Sequence, residues 1–458
     1  MENALFWCFL GILVWAPLPF ASNRTWAGAL LVLLLCLVAS AWLVLYLCDQ
    51  VNISTRVWRH IRWPLLVLAA VNAWIWIQTL ALPPSFVAVL SPNAFDIHII
   101  EGWLTLSLDP VSTAFYGLIS LSVLTSFLLV VALVNSHRRA KLLLVTLVLS
   151  GTLQAVYGSL MVLSGWELGF FVEKYAGQGS ATGTFVNRNH LAGYLVMCLA
   201  AGIGLLLSQL STHAGEKSWR DIARRWLALL LSPKIRLRVY LAVMVIALVL
   251  TRSRMGNTAF FVSMGIAGAV ALFSGRKFSF KILLLLASLF LVDMVILGQW
   301  FGLDKVVQRL EQTTVASEVR FEADDFAWEV VQDYPLTGSG GGSFYGVFPN
   351  YQGESLEGFW DHAHNDYLEF AADLGIPAAL LMVAFVAMAL WAGIQLQRQR
   401  HTPLYRGVGF TVVMTVCWAA IHSAVDFNLQ IPANAVTFVA ILALGFVCSG
   451  LPGKGGRQ

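Results

Sequence analysis

Long apolar runs dominate the chain, and short polar stretches separate them. A membrane-spanning helix needs roughly 20 mostly apolar residues. About twelve runs approach that requirement: Leu5–Phe20, Trp26–Leu47, Leu65–Leu82, Val111–Val134, Leu142–Leu163, His190–Leu210, Val239–Leu250, Thr258–Phe273, Ile282–Leu297, Tyr367–Ile394, Val408–His422 and Ala433–Val447. The seventh is short, and its ends are expected to reach into the flanking basic residues. The pattern predicts an all-α integral membrane protein of about 12 transmembrane helices. One long hydrophilic insertion lies between the ninth and tenth runs. The chain therefore divides into transmembrane helices 1–9 (residues 1–298), a loop with an amphipathic helix (299–364), and helices 10–12 with a tail (365–458). Inside the insertion, "VRFEADDFAWEVVQDYP" reads as a helix. Phe321, Phe326, Val330 and Val331 form its approximate apolar face, and Pro335 follows its end.

Composition agrees with the pattern. Of the 458 residues, 58% are hydrophobic and only 12% are charged, whereas a soluble domain carries about 25% charged residues. The six cysteines lie in or beside apolar runs and form no CxxC. They read as small buried apolar residues rather than as a disulfide framework or a metal site. The first run lacks a basic flank and a small-x-small site, so it does not read as a cleavable signal peptide. No internal repeat or low-complexity tract is present.

Charge supplies an orientation. With both termini taken as cytoplasmic, 21 of the 29 Lys and Arg fall in cytoplasmic loops and the tail, and 8 fall outside. Short loops rich in Lys and Arg stay inside. The outer side is also acidic, with Asp96, Glu101, Asp109, Glu167, Glu173 and most of the insertion.

The outer arginines oppose this bias and so stand out. Arg188 lies in "TGTFVNRNHLAG", Arg252 and Arg254 in "LTRSRMGN", and Arg320 at the start of the amphipathic helix. Any one of them alone fits an arginine snorkelling into head groups. Together they place four planar, permanently charged forks on one side of the membrane, which suits phosphate oxygens. The stretch "DHAHNDYLEF" brings His362 and His364 to the start of the tenth run, with Asn365 or Asp366 as the helix cap. The positive end of the helix dipole disfavours imidazolium there, so His364 is expected to be neutral and able to act as a general base. Asp361 or Asp366 would orient its ring. The bland alternative is that both histidines are polar interfacial residues. His190 and His422, near outer helix ends, either line the site or pack. "TGSGGGSFYG" lacks the GK[ST] ending of a phosphate loop and reads as a flexible turn. Asp293, well inside a run, has no evident partner. No HExxH, paired CxxC or DxD element implies a metal.

These residues resemble the O-antigen ligase superfamily: ligases that attach polysaccharide to lipid A–core, O-antigen polymerases, and bacterial protein O-oligosaccharyltransferases. The resemblance rests on "GTFVNRNHLAGYL" (Gly183–Leu195), "TRSR" (Thr251–Arg254), "VRFEADDFAWEVVQDYPLTGSGGGSF" (Val319–Phe344) and "HNDYLEFAADLG" (His364–Gly375). It covers motif detail from Gly183 to Gly375 and the layout of spans end to end. The first five runs contribute no motif.

The resemblance implies a GT-C-like, metal-independent, inverting glycosyltransferase without a cofactor, in the bacterial inner membrane with its active site in the periplasm. The implied donor is a glycan on undecaprenyl pyrophosphate. The implied acceptor is a hydroxyl of a glycan, of lipid A–core or of a protein. His364, Arg254 and Arg320 correspond to the family's catalytic residues. Arg188 corresponds to an arginine beside the diphosphate, while Arg252, His362, Asn365 and His190 are further substrate-binding candidates. "HAHN" in place of a single histidine makes His362 a competitor for the base. The other partner is the lipid bilayer, and no nucleic acid is implied. A transporter is the rival class, but transporters place polar sites near the midplane on broken, repeated helices. Here the ionisable residues gather at the outer boundary, Asp293 excepted.

Overall fold

The computed structural model describes residues 1–97, 102–170, 172–174, 177–209, 233–274, 320–356 and 358–453. It is built from helices: α1 Glu2–Trp15, α2 Thr25–Leu47, α3 Thr55–Gln78, α4 Pro84–Leu90, α5 Pro92–Ile97, α6 Pro110–Leu133, α7 His137–Ser164, α8 Arg188–Ser208, α9 Pro233–Leu250 and α10 Arg254–Phe273. They continue with α11 at 320–333, α12 Asp366–Leu374, α13 Ile376–Gln399, α14 Pro403–His422 and α15 Pro432–Gly450. A two-stranded ribbon, β1 Leu168–Gly169 with β2 Val172–Glu173, pairs antiparallel.

Among the described residues, nine helices are long and apolar enough to cross a membrane: α2, α3, α6, α7, α8, α10, α13, α14 and α15. The shorter α1 matches the first predicted run. The seventh run becomes α9, which takes in Lys234, Arg236 and Arg238 as expected. The run Ile282–Leu297 and Asp293 lie outside the described residues.

The helices sort by burial. The apolar windows of α8 and α15 are 89% and 94% buried, against 28% for α3 and for α13. The first two therefore form the centre of the bundle, and the second two face lipid. α8 packs most extensively on α14, and Thr411 Oγ1 of α14 donates to the Ala200 carbonyl of α8 at 3.0 Å. Such interhelical hydrogen bonds hold helices together where the hydrophobic effect does not distinguish protein from lipid.

One predicted run is corrected. Tyr367–Ile394 is not a continuous span but α12 and α13, broken at Gly375. Gly375 has φ 82° and ψ 158°, a region open essentially to glycine alone. A Cβ there would collide with the Leu336 carbonyl. Pro377 then starts α13 near its N-terminus, where a missing N–H is harmless. The short α12 thus lies beside the outer segment rather than across the membrane.

That outer segment forms its own small core. In α11, Ala323, Ala327, Val330 and Val331 pack with Tyr334, Phe344, Phe348 and with Val87 and Ala94 of α4 and α5. The expected apolar face is shifted: Phe321 is 67% exposed, and the alanines take its place. The segment "TGSGGGSFYG" is not a flexible turn either. Its backbone N–H groups at Gly342 and Phe344 donate to the two carboxylate oxygens of Asp373 at 2.7 and 3.1 Å. Gly341 N donates to Gln78 Oε1 at 3.1 Å. The group this loop cradles is an internal carboxyl from α12.

Candidate functional site

The connector between α14 and α15 is the centre of the polar chemistry. Asp426, Phe427 and Asn428 are all buried in it. Asp426 Oδ1 accepts from its neighbour Phe427 N at 2.9 Å, which fixes the carboxylate's direction. Two imidazoles converge on the same oxygen: His190 Nε2 at 3.6 Å and His364 Nδ1 at 3.8 Å. Both separations lie just beyond hydrogen-bond length, and among the described residues neither nitrogen has another partner. Burial pushes Asp426 towards its neutral form. The surrounding imidazoles of His190 and His364 outweigh that and hold it well below the usual carboxylate range. Asp426 is therefore an anion at neutral pH.

Phe427 organises three histidines. His362 stacks on its ring at 4.1 Å between centroids and 17° between planes. His190 and His364 meet it edge-on at 4.6 and 4.8 Å. Local sequence explains how each arrives. His190 is in the first turn of α8, behind the N-cap Asn187, whose side chain accepts from Asn189 N. His364 has φ 54°, a left-handed conformation that histidine tolerates better than branched residues do. The next residue, Asn365, caps α12, its Oδ1 accepting from Tyr367 N and Leu368 N. α12 is tied to the connector by Asp366 N to the Ser423 carbonyl at 2.8 Å. Ser423 Oγ also donates to Asp366 Oδ2 at 2.7 Å.

The carboxylates divide the work differently from the expectation. Asp361 is exposed and Asp366 is engaged with Ser423 and Leu429, so neither orients His364; Asp426 faces that ring. Burial raises Asp366 well above the usual range, and the Glu369 and Asp426 charges add to this despite the Ser423 hydrogen bond. His362 Nδ1 meets Glu369 Oε1 at 2.6 Å. Burial alone would lower His362, but the Glu369 charge and hydrogen bond overcome it and raise the imidazole to about 9. At neutral pH His362 is a cation held by a buried carboxylate.

The arginines border this cluster. Arg320, exposed at the head of the described α11, reaches the Val425 carbonyl through Nη1 at 3.4 Å, one residue from Asp426. Asn365 Nδ2 lies 3.5 Å from Asp324 Oδ2 on the same helix. Arg188 is the first residue of α8, two before His190, and is exposed. Arg254 is the first residue of α10 and is exposed, and that helix's first turn packs on Ala192 of α8 at Gly256. Arg252 turns elsewhere. It has φ 55° and lies against Gly179. Burial favours neutral Glu167, yet Lys174, the Gly179 N–H and Arg252's charge together keep it below the ordinary range. The structure thus gathers His190, His362, His364, Asn365 and Arg320 around one connector, with Arg188 and Arg254 on adjoining helix starts.

His422 packs rather than lines the opening. Its Nδ1 accepts from Asn428 Nδ2 at 2.7 Å, and Asn434 Nδ2 reaches both Asn428 Oδ1 and the His190 carbonyl. Sequence reasoning missed Asp426, Phe427, Glu369 and Asp373. One signal was available for Asp426: "HSAVDFN" places a carboxylate at the outer end of an apolar run. Among the described residues, no group of three or more His, Cys, Asp or Glu is arranged to hold a metal ion.

Residues 239–383 match the family model described as O-antigen ligase. No curated protein matches the chain. The matched segment contains Arg252, Arg254, Arg320, His362, His364 and Asn365 but stops before Asp426. The protein is a multi-pass membrane protein whose residues 239–383 are similar to the O-antigen ligase family.

Proposed function

We propose that the chain moves a glycan from an undecaprenyl-pyrophosphate carrier to an acceptor hydroxyl at the outer face of a bacterial inner membrane. The observation that carries this reading is the buried Asp426 carboxyl 3.8 Å from His364, which keeps 23% of its side chain exposed. With Nδ1–H turned to Asp426, the Nε2 lone pair of His364 is left for the acceptor's proton. His190, only 6% exposed, shares the carboxylate without reaching solvent. His362, already protonated, does not compete as the base.

The chemistry follows. The acceptor O–H gives its proton to His364 as its oxygen forms a bond to the anomeric carbon. The carbon–oxygen bond to pyrophosphate breaks on the opposite face, and the anomeric configuration inverts. Charge then grows on the leaving pyrophosphate. Arg320, Arg188 and Arg254 supply fixed positive forks for it, an electrostatic contribution that is commonly the largest single one. A positioned base adds roughly 10²–10⁴-fold.

The test is complementation of a deletion strain, read by mass spectrometry of lipopolysaccharide, exopolysaccharide and glycoprotein. Wild type should restore one glycan, and the fraction restored identifies ligase, polymerase or protein transferase. His364→Ala should restore none at normal membrane levels. Full restoration by His364→Ala would refute the proposal and favour a transporter.

A further inference from the structure

A second polar site lies at the other end of the bundle. α13 runs from Gly375 to its C-terminal cap at Arg400, and its 24 residues span about 36 Å. Asp426 and His364 precede the N-termini of α15 and α12, so the C-terminal ends of α13 and α15 and the start of α3 are far from them. There, α3, α13 and α15 enclose a groove of about 760 Å³. Arg59, His60 and Arg400 line it together with Trp63, Trp391 and Gln395.

The cations are placed rather than merely present. Arg400 Nη2 donates to the carbonyls of Cys448 at 3.0 Å and Leu451 at 2.7 Å, closing the end of α15. Neutral carbonyls fix the guanidinium without cancelling its charge. Among the described residues, no carboxylate lies within ion-pair distance of Arg59 or Arg400. Trp63 and Trp391 are 58% and 61% exposed at the rim. Indoles favour the head-group level of a bilayer. Below Trp391 the exposed face of α13 continues as an apolar stripe through Val383 and Leu380. The groove thus joins an unneutralised positive pocket to a lipid-facing apolar track.

We propose that this groove binds the phosphate headgroup of an anionic phospholipid, whose acyl chains lie along the α13 stripe. A basic pocket between helices on the Arg-rich side of a membrane protein suits such a headgroup. A zwitterionic lipid offers the same chains with a compensating cation that these arginines would repel. A soluble peptide would leave the apolar stripe unused.

The experiment is native mass spectrometry of the purified full chain with phosphatidylglycerol or phosphatidylcholine added at equal concentration. Phosphatidylglycerol should be retained preferentially. The double variant Arg59→Gln/His60→Gln should lose that preference by about fivefold, the share of the one permanent cation it removes. Arg59→Lys, which keeps the charge, should retain most of it. Arg238→Gln, at an exposed position of α9 outside the groove, should behave as wild type. Equal retention of the two lipids, or the same loss in Arg238→Gln, would overturn the proposal. Both substituted side chains of the double variant are exposed, so helical content and thermal midpoint should match wild type.

Discussion

Replacing Asp426 by Asn removes one charge and almost no volume. The amide oxygen can still accept from Phe427 N, so the connector should keep its shape. In the proposed mechanism, what is lost is the attraction between the carboxylate and the imidazolium that forms on His364 as it takes the acceptor's proton. At 3.8 Å, two unit charges attract by about 4 kcal/mol at an effective dielectric constant of about 20. His364 is 23% exposed, and water screens part of this, leaving about 2–3 kcal/mol. Each 1.36 kcal/mol is tenfold in rate, so kcat should fall roughly 30- to 200-fold. KM for the donor should move little, because the interaction matures only in the transition state. The assay is glycan transfer in proteoliposomes with lipid-linked donor, followed by mass spectrometry. The double variant Asp426→Asn/His364→Ala should be no slower than His364→Ala alone, since the carboxylate acts through that ring. A kcat within twofold of wild type in Asp426→Asn, or additive losses in the double variant, would refute the dyad.

Three further outcomes follow from the geometry. Gly375→Ala should lower stability by about 2–4 kcal/mol, read as a reduced thermal midpoint, because the new Cβ meets the Leu336 carbonyl at a φ of 82°. The His362–Glu369 pair should contribute stability that is fully present below about pH 6.5, the ordinary histidine value. It should be lost as pH rises through about 9, an effect of about 3 kcal/mol, and Glu369→Gln should flatten the profile of midpoint against pH. Asp366 has the opposite history: its folded form is raised by burial, so ionisation of the unfolded chain destabilises the fold progressively above about pH 4. Asp366→Asn should therefore raise the midpoint more at pH 8 than at pH 4.5, and an equal gain at both would count against the assignment.

The sequence made the helices legible because spans are long, apolar and locally determined. Even the extension of α9 into its basic flank could be read from the run length. It was misleading where tertiary contact overrode local pattern. Tyr367–Ile394 satisfies the hydropathy of a single span, but the close approach of residues 336–338 to Gly375 breaks it. Phe321 has the right periodicity for a core residue, yet alanines fill that face because α4 and α5 approach closely. The glycine-rich loop read as flexible because its partner, the Asp373 carboxylate, lies some thirty residues later on another helix.

Part of the site is legible in the sequence for the same physical reason. His364, Arg254 and Arg320 sit within short, distinctive strings, and chemistry could be assigned to them one string at a time. Asp426 could not be found that way. It lies 62 residues beyond His364 and well beyond His190, and it reaches both only because α8 and α14 pack along their length and α12 is pinned to Ser423. A carboxylate next to an apolar run ordinarily signals a loop. What sets this one apart is that three imidazole rings surround Phe427 beside it, and that Arg320 reaches the Val425 carbonyl one residue away. A histidine's role is set by the group behind it, and here that group comes from a helix connector carrying no recognisable motif. The distinction between His362 and His364 has the same origin. Two histidines separated by one residue in sequence face Glu369 and Asp426 respectively, so that the Glu369 carboxylate raises one imidazole while the other lies beside a different buried carboxylate.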